Sequence, residues 1–140
     1  GHVVTIASAA GLIGVRKLAD YSASKFAAFG FDESLRNELR HSAPGVGTTV
    51  VCPFYIDTGM FDGVRSRFPF LLPVLSEAKV AEAIVRAIER NRRQLVMPPL
   101  VGTIPLMRSL PIRAFDWVSD FLGVNASMDH FRGRGSRSEK

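Results

Sequence analysis

Apolar and polar positions along this chain fall into blocks with two different periods. His2 to Ala7 (HVVTIA) is β-branched and apolar at successive positions, the pattern of a strand buried on both faces of a parallel sheet. From Tyr21 to about Arg40 (YSASKFAAFGFDESLRNELR), Phe26, Phe29, Leu35 and Leu39 lie between charges, which predicts a long amphipathic helix ended by Pro44 and Gly45. Thr48 to Cys52 (TTVVC) predicts a second buried strand, stopped by Pro53. Phe54 to Pro73 is aromatic-rich without a period, an irregular connection long enough to carry function. Ser76 is placed to cap a helix through about Asn91, with Val80, Ile84, Ala87 and Ile88 on one face and Arg90 in its last turn. Gln94 to Met97 (QLVM) then reads as a third strand.

Strand, helix, strand, helix, strand makes two βαβ units, which require a parallel sheet with right-handed crossovers. The last third changes character. Pro98, Pro99, Pro105 and Pro111 interrupt an apolar stretch, and Ala114 to Leu122 (AFDWVSDFL) predicts one amphipathic helix. With no further strand pattern, this third is expected to pack over the sheet, cover a substrate cleft or lie on a membrane. No internal repeat is present.

Composition narrows the class. The chain has 140 residues, 46% hydrophobic and 22% charged, too apolar for a disordered protein and long enough for a sizeable core. Its single cysteine, Cys52, cannot form an internal disulfide, and its apolar neighbours predict a buried thiol in a reducing compartment. The uncharged stretch Leu95 to Met107 is 13 residues with three prolines, short of the roughly 20 that span a bilayer. The first residues lack the pattern of a signal peptide and open inside a strand, so the natural N-terminus is expected upstream. Of the formal charge of +5, most sits in the last ten residues, where Arg132, Arg134, Arg137 and Lys140 face only Glu139. Such an end is expected to be solvated, and no recognition motif accompanies it, so nucleic acid is not an expected partner. Cys52, His2, His41 and His130 are too scattered to suggest a metal site, and His41 is expected at a helix end as a capping or surface residue.

Chemistry concentrates at three positions. Tyr21 and Lys25 are spaced i, i+4, so on a helix both side chains emerge from one face. Ser8 follows the first strand, where open α/β sheets place ligands, and the thirteen-residue separation from Tyr21 lets the chain return. A tyrosine with a reference pKa of about 10 is a poor acid or base at neutral pH, and a neighbouring ammonium would stabilise its phenolate. A serine hydroxyl could steady the charge on a reacting oxygen. Together these groups suit proton transfer at an alcohol oxygen while a hydride leaves or joins the same carbon.

Ser8, Gly11, Tyr21, Ala23, Ser24 and Lys25 form the pattern S-x-x-G-x(9)-Y-x-A-S-K. That pattern closely resembles the signature of the short-chain dehydrogenase/reductase family. The resemblance implies that Ser8 orients substrate, Tyr21 exchanges the proton and Lys25 also binds the nicotinamide ribose. Pro53-Phe54-Tyr55-Ile56-Asp57-Thr58 is similar to the family's P-G-x-x-x-T turn beside the nicotinamide carboxamide, with Phe54 in place of the common glycine. Pro53, Thr58 and the backbone of Ile56 are the contacts this implies. DYSASKFAAFGF, VCPFYIDTGMF and LLPVL resemble the branch of epidermal retinal dehydrogenases and lipid-droplet 17-beta-hydroxysteroid dehydrogenases most, strongly to about residue 100 and less beyond. Met60, Phe61, Phe68 and Phe70 fall where the family places its substrate lid.

The resemblance implies an α/β fold, the C-terminal half of a Rossmann-type doubly wound parallel sheet, with three strands and flanking helices. No glycine-rich phosphate turn follows a first strand: Gly11 and Gly14 belong to the Ser8 motif, and Gly133 and Gly135 precede no helix. The nucleotide-binding half is therefore expected upstream of Gly1. The expected organisation is a catalytic half over residues 1–100, an apolar extension over 101–130 and a basic tail over 131–140. The implied cofactor is NAD or NADP, with NAD favoured. The implied substrate is a small lipophilic alcohol or carbonyl, retinol or retinal foremost, with a steroid or other lipid as the alternative and a non-catalytic lipid-surface module as the distant one. By the same resemblance, the protein would work on the cytosolic face of the endoplasmic reticulum membrane or a lipid droplet. It would pair as a homodimer through the helix carrying Tyr21.

Overall fold

A computed structural model describes residues 1–61 and 63–131. The basic residues Arg132, Arg134, Arg137 and Lys140, with Glu139, Gly133 and Gly135, lie outside the described residues. Three parallel strands, β1 (His2–Ile6), β2 (Gly47–Pro53) and β3 (Gln94–Met97), pair in the order β1-β2-β3. The register sets Val4 against Thr49 and Cys52 against Val96. Each crossover carries a helix: α1 (Ala19–Ser42) between the first two strands and α2 (Glu77–Glu89) between the last two.

Strand β2 has neighbours on both sides and is buried from Thr48 to Pro53, which explains its unbroken apolar run. Its alternate side chains feed two cores. Val50 and Cys52 join Ala7, Leu12 and Ile13, with Ala28 and Phe29 of α1 packed against them. Val51 points the other way, to Ala87 and Leu95, with Ala83 and Ile84 of α2 alongside. One strand thus ties helices to both faces of the sheet, as a doubly wound architecture requires.

The expected elements are present with small shifts at their ends. Helix α1 begins two residues before Tyr21 and runs to Ser42, with Ala43 as its C-cap and Pro44 and Gly45 just beyond. Pro53 is the last residue of β2 rather than the first beyond it, because its φ and missing N–H are tolerated where the ladder ends. Ser76 occupies the N-cap position of α2, yet its side chain makes no capping bond, and α2 stops two residues before Asn91. Between Phe54 and Pro73 no helix or regular strand forms among the described residues. A single parallel bridge, Ile56 to Leu75, pins the base of that connection.

After β3 the chain makes a 3₁₀ turn (Pro99–Thr103) and two short helices, α3 (Ile104–Met107) and α4 (Ile112–Phe121). Among the described residues, no helix is long and apolar enough to cross a membrane.

Candidate active site

The strand ends build the site. Beyond β1 the backbone turns through a 3₁₀ turn (Ala9–Gly11) whose N-cap is Ser8. The Ser8 hydroxyl accepts a hydrogen bond from the Ala10 N–H at 3.1 Å and directs its own proton at the Pro53 carbonyl, 3.5 Å away. The first bond orients the side chain, while the second is at the outer limit of bonding distance and leaves that proton easily redirected. The turn lies tightly on α1. A Cβ built on Gly11 would stand 2.6 Å from the Lys25 carbonyl oxygen, so only glycine permits this approach.

On α1, Tyr21 and Lys25 share one face as their spacing requires, and the Lys25 ammonium lies 5.6 Å from the centroid of the Tyr21 ring. Lys25 Nζ also donates to the Ile6 carbonyl at 3.1 Å, which ties the helix to the end of β1. An ammonium carries three protons, so two remain for a ligand.

These groups open on one cavity of about 320 Å³, a size that holds a small ligand. Ser8, Tyr21, Lys25, Pro53, Ile56, Thr58, Met60 and Phe61 all line it. Its other walls are mainly apolar, including Leu100, Ile104, Met107, Leu122 and Val124 from the C-terminal third. The Ile56 bridge engages the Tyr55 carbonyl with the Leu75 N–H and the Asp57 N–H with the Leu75 carbonyl, so the Ile56 peptide N–H is not consumed by it. Thr58 N–H folds back onto the Ile56 carbonyl at 2.9 Å, closing a tight turn in the cavity wall.

Two of the expected lid residues are elsewhere. Phe70 is 92% exposed, and Phe68 packs its ring 5.8 Å from Phe121 of α4, with the Arg67 guanidinium 5.5 Å from both rings. Neither lines the cavity: Phe68 turns onto α4 and Phe70 to solvent, while Leu72 of the same connection reaches the cavity wall. Phe61, by contrast, meets Tyr21 edge-on at 5.9 Å and Tyr55 at 5.1 Å. The wall residues after β3 come from the apolar third for which covering a cleft was one of the expected roles, although the sequence did not single out which of them face inward.

Beneath Ser8 lies Cys52, fully buried. Burial pushes its thiol up to about 11, opposed by a hydrogen bond with the Ser8 backbone and reinforced by the charge of Asp32. Burial likewise raises Tyr55 above the usual phenol value, with its bond to Ser127 opposing. No three His, Cys, Asp or Glu side chains converge among the described residues, and His2 Nε2 is engaged with the Thr49 hydroxyl at 2.7 Å.

Three parallel strands with helices on both faces, and a cavity beyond β1 and β2 that Ser8, Tyr21 and Lys25 line, make a Rossmann-type architecture. Residues 1–68 match the family model described as short chain dehydrogenase. Human epidermal retinol dehydrogenase 2 is 47% identical over 133 residues, covering 94% of this chain and 43% of the relative. Zebrafish (Danio rerio) retinol dehydrogenase 10-A is 42% identical over 136 residues, covering 94% of this chain and 40% of the relative. Among solved structures, a short chain dehydrogenase from Burkholderia cenocepacia in complex with NADP superposes with a TM-score of 0.67 at 24% identity, covering 87% of this chain and 47% of that one. A relative from Burkholderia phymatum in complex with NAD gives 0.61 at 23% identity, over 78% of this chain and 47% of that one. The chain belongs to the short-chain dehydrogenase/reductase family. It spans less than half the length of these relatives.

Proposed function

We propose that the protein is a nicotinamide-dependent oxidoreductase that interconverts a hydrophobic alcohol and its carbonyl, with retinol and retinal as the leading pair. The observation that carries this reading is the convergence of Ser8, Tyr21 and Lys25 on one cavity whose remaining walls are mainly apolar. The names of the relatives, retinol dehydrogenases from human and zebrafish, support the choice of alcohol.

The donor set fits a nicotinamide nucleotide. Lys25 has protons to offer sugar hydroxyls, while Thr58 and the Ile56 N–H stand where an amide could bond. When bound, that group supplies the hydride acceptor or donor. The chain's own residues manage the oxygen. Ser8 turns its proton from the distant Pro53 carbonyl to the substrate oxygen and fixes its place. Tyr21 passes the proton to or from that oxygen, with the Lys25 ammonium beside its ring. The apolar walls exclude water and accept the hydrocarbon body of the substrate.

A lipid surface is the proposed setting. On the outer side of the C-terminal helices, Leu106, Ile112 and Trp117 are 77%, 79% and 67% exposed, and Arg113 stands beside them in sequence. The inner side of the same segment lines the cavity through Met107 and Leu122. A homodimer through α1 is the proposed assembly, supported by the 60% exposure of Phe31 on that helix.

The test of the catalytic reading is Tyr21→Phe in the intact protein, followed by nicotinamide absorbance with retinol as substrate. Turnover should fall by at least about 100-fold with cofactor affinity nearly unchanged. Substantial residual turnover would remove Tyr21 from the mechanism.

A further inference from the structure

Among the described residues the Tyr21 hydroxyl makes no hydrogen bond, so packing of its ring sets its direction. The ring that meets it is Phe61, and Phe61 in turn rests edge-on against Tyr55. Tyr55 is held from both ends. Its backbone carbonyl accepts the Leu75 N–H at 2.8 Å, and its buried hydroxyl meets Ser127 Oγ at 2.9 Å. Ser127 directs its own proton to the Val124 carbonyl at 2.6 Å, so Tyr55 is the donor of the shared bond. The Arg65 N–H donates to the Ser127 carbonyl at 3.3 Å, tying the same residue to the far side of the connection that carries Phe61.

We propose that Tyr55 and Ser127 are positioning residues for the reaction: their buried hydrogen bond seats Phe61, and Phe61 holds the Tyr21 ring at its angle in the cavity. The proposal rests on the reading of Tyr21 as the proton-exchanging group, and it concerns residues outside the Ser8, Tyr21 and Lys25 set. A phenylalanine at position 55 would keep the stack but release the ring from its anchor. Alignment of reacting groups is steep in its effect on rate, so a small loss of orientation registers in kcat.

The experiment compares Tyr55→Phe, Ser127→Ala and the double variant in the intact protein. Each single variant should lower kcat for retinol by about tenfold, and the double variant by no more, because both remove one bond. KM for the nicotinamide cofactor should stay within twofold, whereas general loosening of the fold would move both constants. An independent readout uses protein labelled with 3-fluorotyrosine, its Tyr21 resonance assigned by loss in Tyr21→Phe. Ser127→Ala should shift or broaden that resonance. An unmoved resonance, or unchanged kcat in both single variants, would overturn the proposal. If Tyr21→Phe itself retained turnover, the catalytic reading would fail while the resonance still reported whether the clasp holds Tyr21.

Discussion

Gly11 and Lys25 touch backbone to backbone: the position of a Cβ on Gly11 is 2.6 Å from the Lys25 carbonyl oxygen. The contact locks the turn that presents Ser8 against the helix that presents Tyr21 and Lys25. Gly11→Ala should force the two apart and cost about 1 to 3 kcal/mol of stability, as overpacking does. Turnover should fall more than the stability loss explains, since Ser8 and Tyr21 would no longer face one point. Urea unfolding and steady-state kinetics on the same preparation check this, and an alanine variant with native kinetics would contradict it.

Cys52 gives a pH prediction with a definite sign. Its folded value of about 11 lies above the ordinary thiol value of 9.0, so the folded state keeps its proton where the unfolded chain loses it. The resulting contribution to stability is fully present below pH 9 and is lost as pH rises from 9 to about 11. At pH 8 a thiol reagent should label Cys52 only after denaturant is added. Above pH 9 the urea midpoint should fall more steeply in the parent protein than in Cys52→Ala, and equal slopes would count against the assignment.

Asp32 is a cost built into α1. It is 1% exposed, and neither carboxylate oxygen has a hydrogen-bond partner among the described residues. Removing an unpartnered buried acid relieves a desolvation penalty, so Asp32→Ala should raise stability by about 1 to 2 kcal/mol. Chemical denaturation measures this directly. A destabilised variant would reveal a bonded partner in solution.

The exposed apolar side of the C-terminal helices predicts lipid binding. Ile112 and Trp117 are the substitutions to make, since both are more than 60% exposed and neither lines the cavity. Replacing both with Ser should release the protein from vesicles containing anionic lipid in a flotation assay while leaving the thermal midpoint nearly unchanged. Retention on vesicles would move any anchor elsewhere.

The sheet and its two crossover helices were legible because their signals are local and periodic. Val50, Val51 and Cys52 face both cores in turn, and such a strand reads as an apolar run. That Ser8, Tyr21 and Lys25 come to one cavity was legible because their spacing carries geometry with it. Phe68 and Phe70 misled for the opposite reason: in a segment without a period, an aromatic residue carries no direction. For the cavity wall from Leu100 to Val124 the sequence pointed to an apolar cover over the cleft and to the last helix, but not to the individual wall residues. That wall is assembled from a 3₁₀ turn of five residues and helices of four and ten, the shortest of them too brief to show a helical repeat. The bond from Tyr55 to Ser127 crosses 72 positions and leaves no trace in any local window.

That long reach has a kinetic meaning. Arg16 and Lys17 both bind the Asp129 carboxylate, at 2.6 and 2.8 Å, and the Lys17 hydrogen bond, helped by both charges, holds it below the usual carboxylate range. These contacts join segments more than 100 positions apart, whereas each strand pairs through a single crossover. Closing a loop of that length carries an entropic cost before its contacts form, so the sheet is expected to form first and the cavity last. Substitutions at Tyr55, Ser127 or Asp129 should then speed unfolding and leave the refolding rate nearly untouched. The contacts that close the cavity are therefore expected to be lost before the three-stranded sheet beneath them, an order that hydrogen exchange at Ser127 and at Val51 would read.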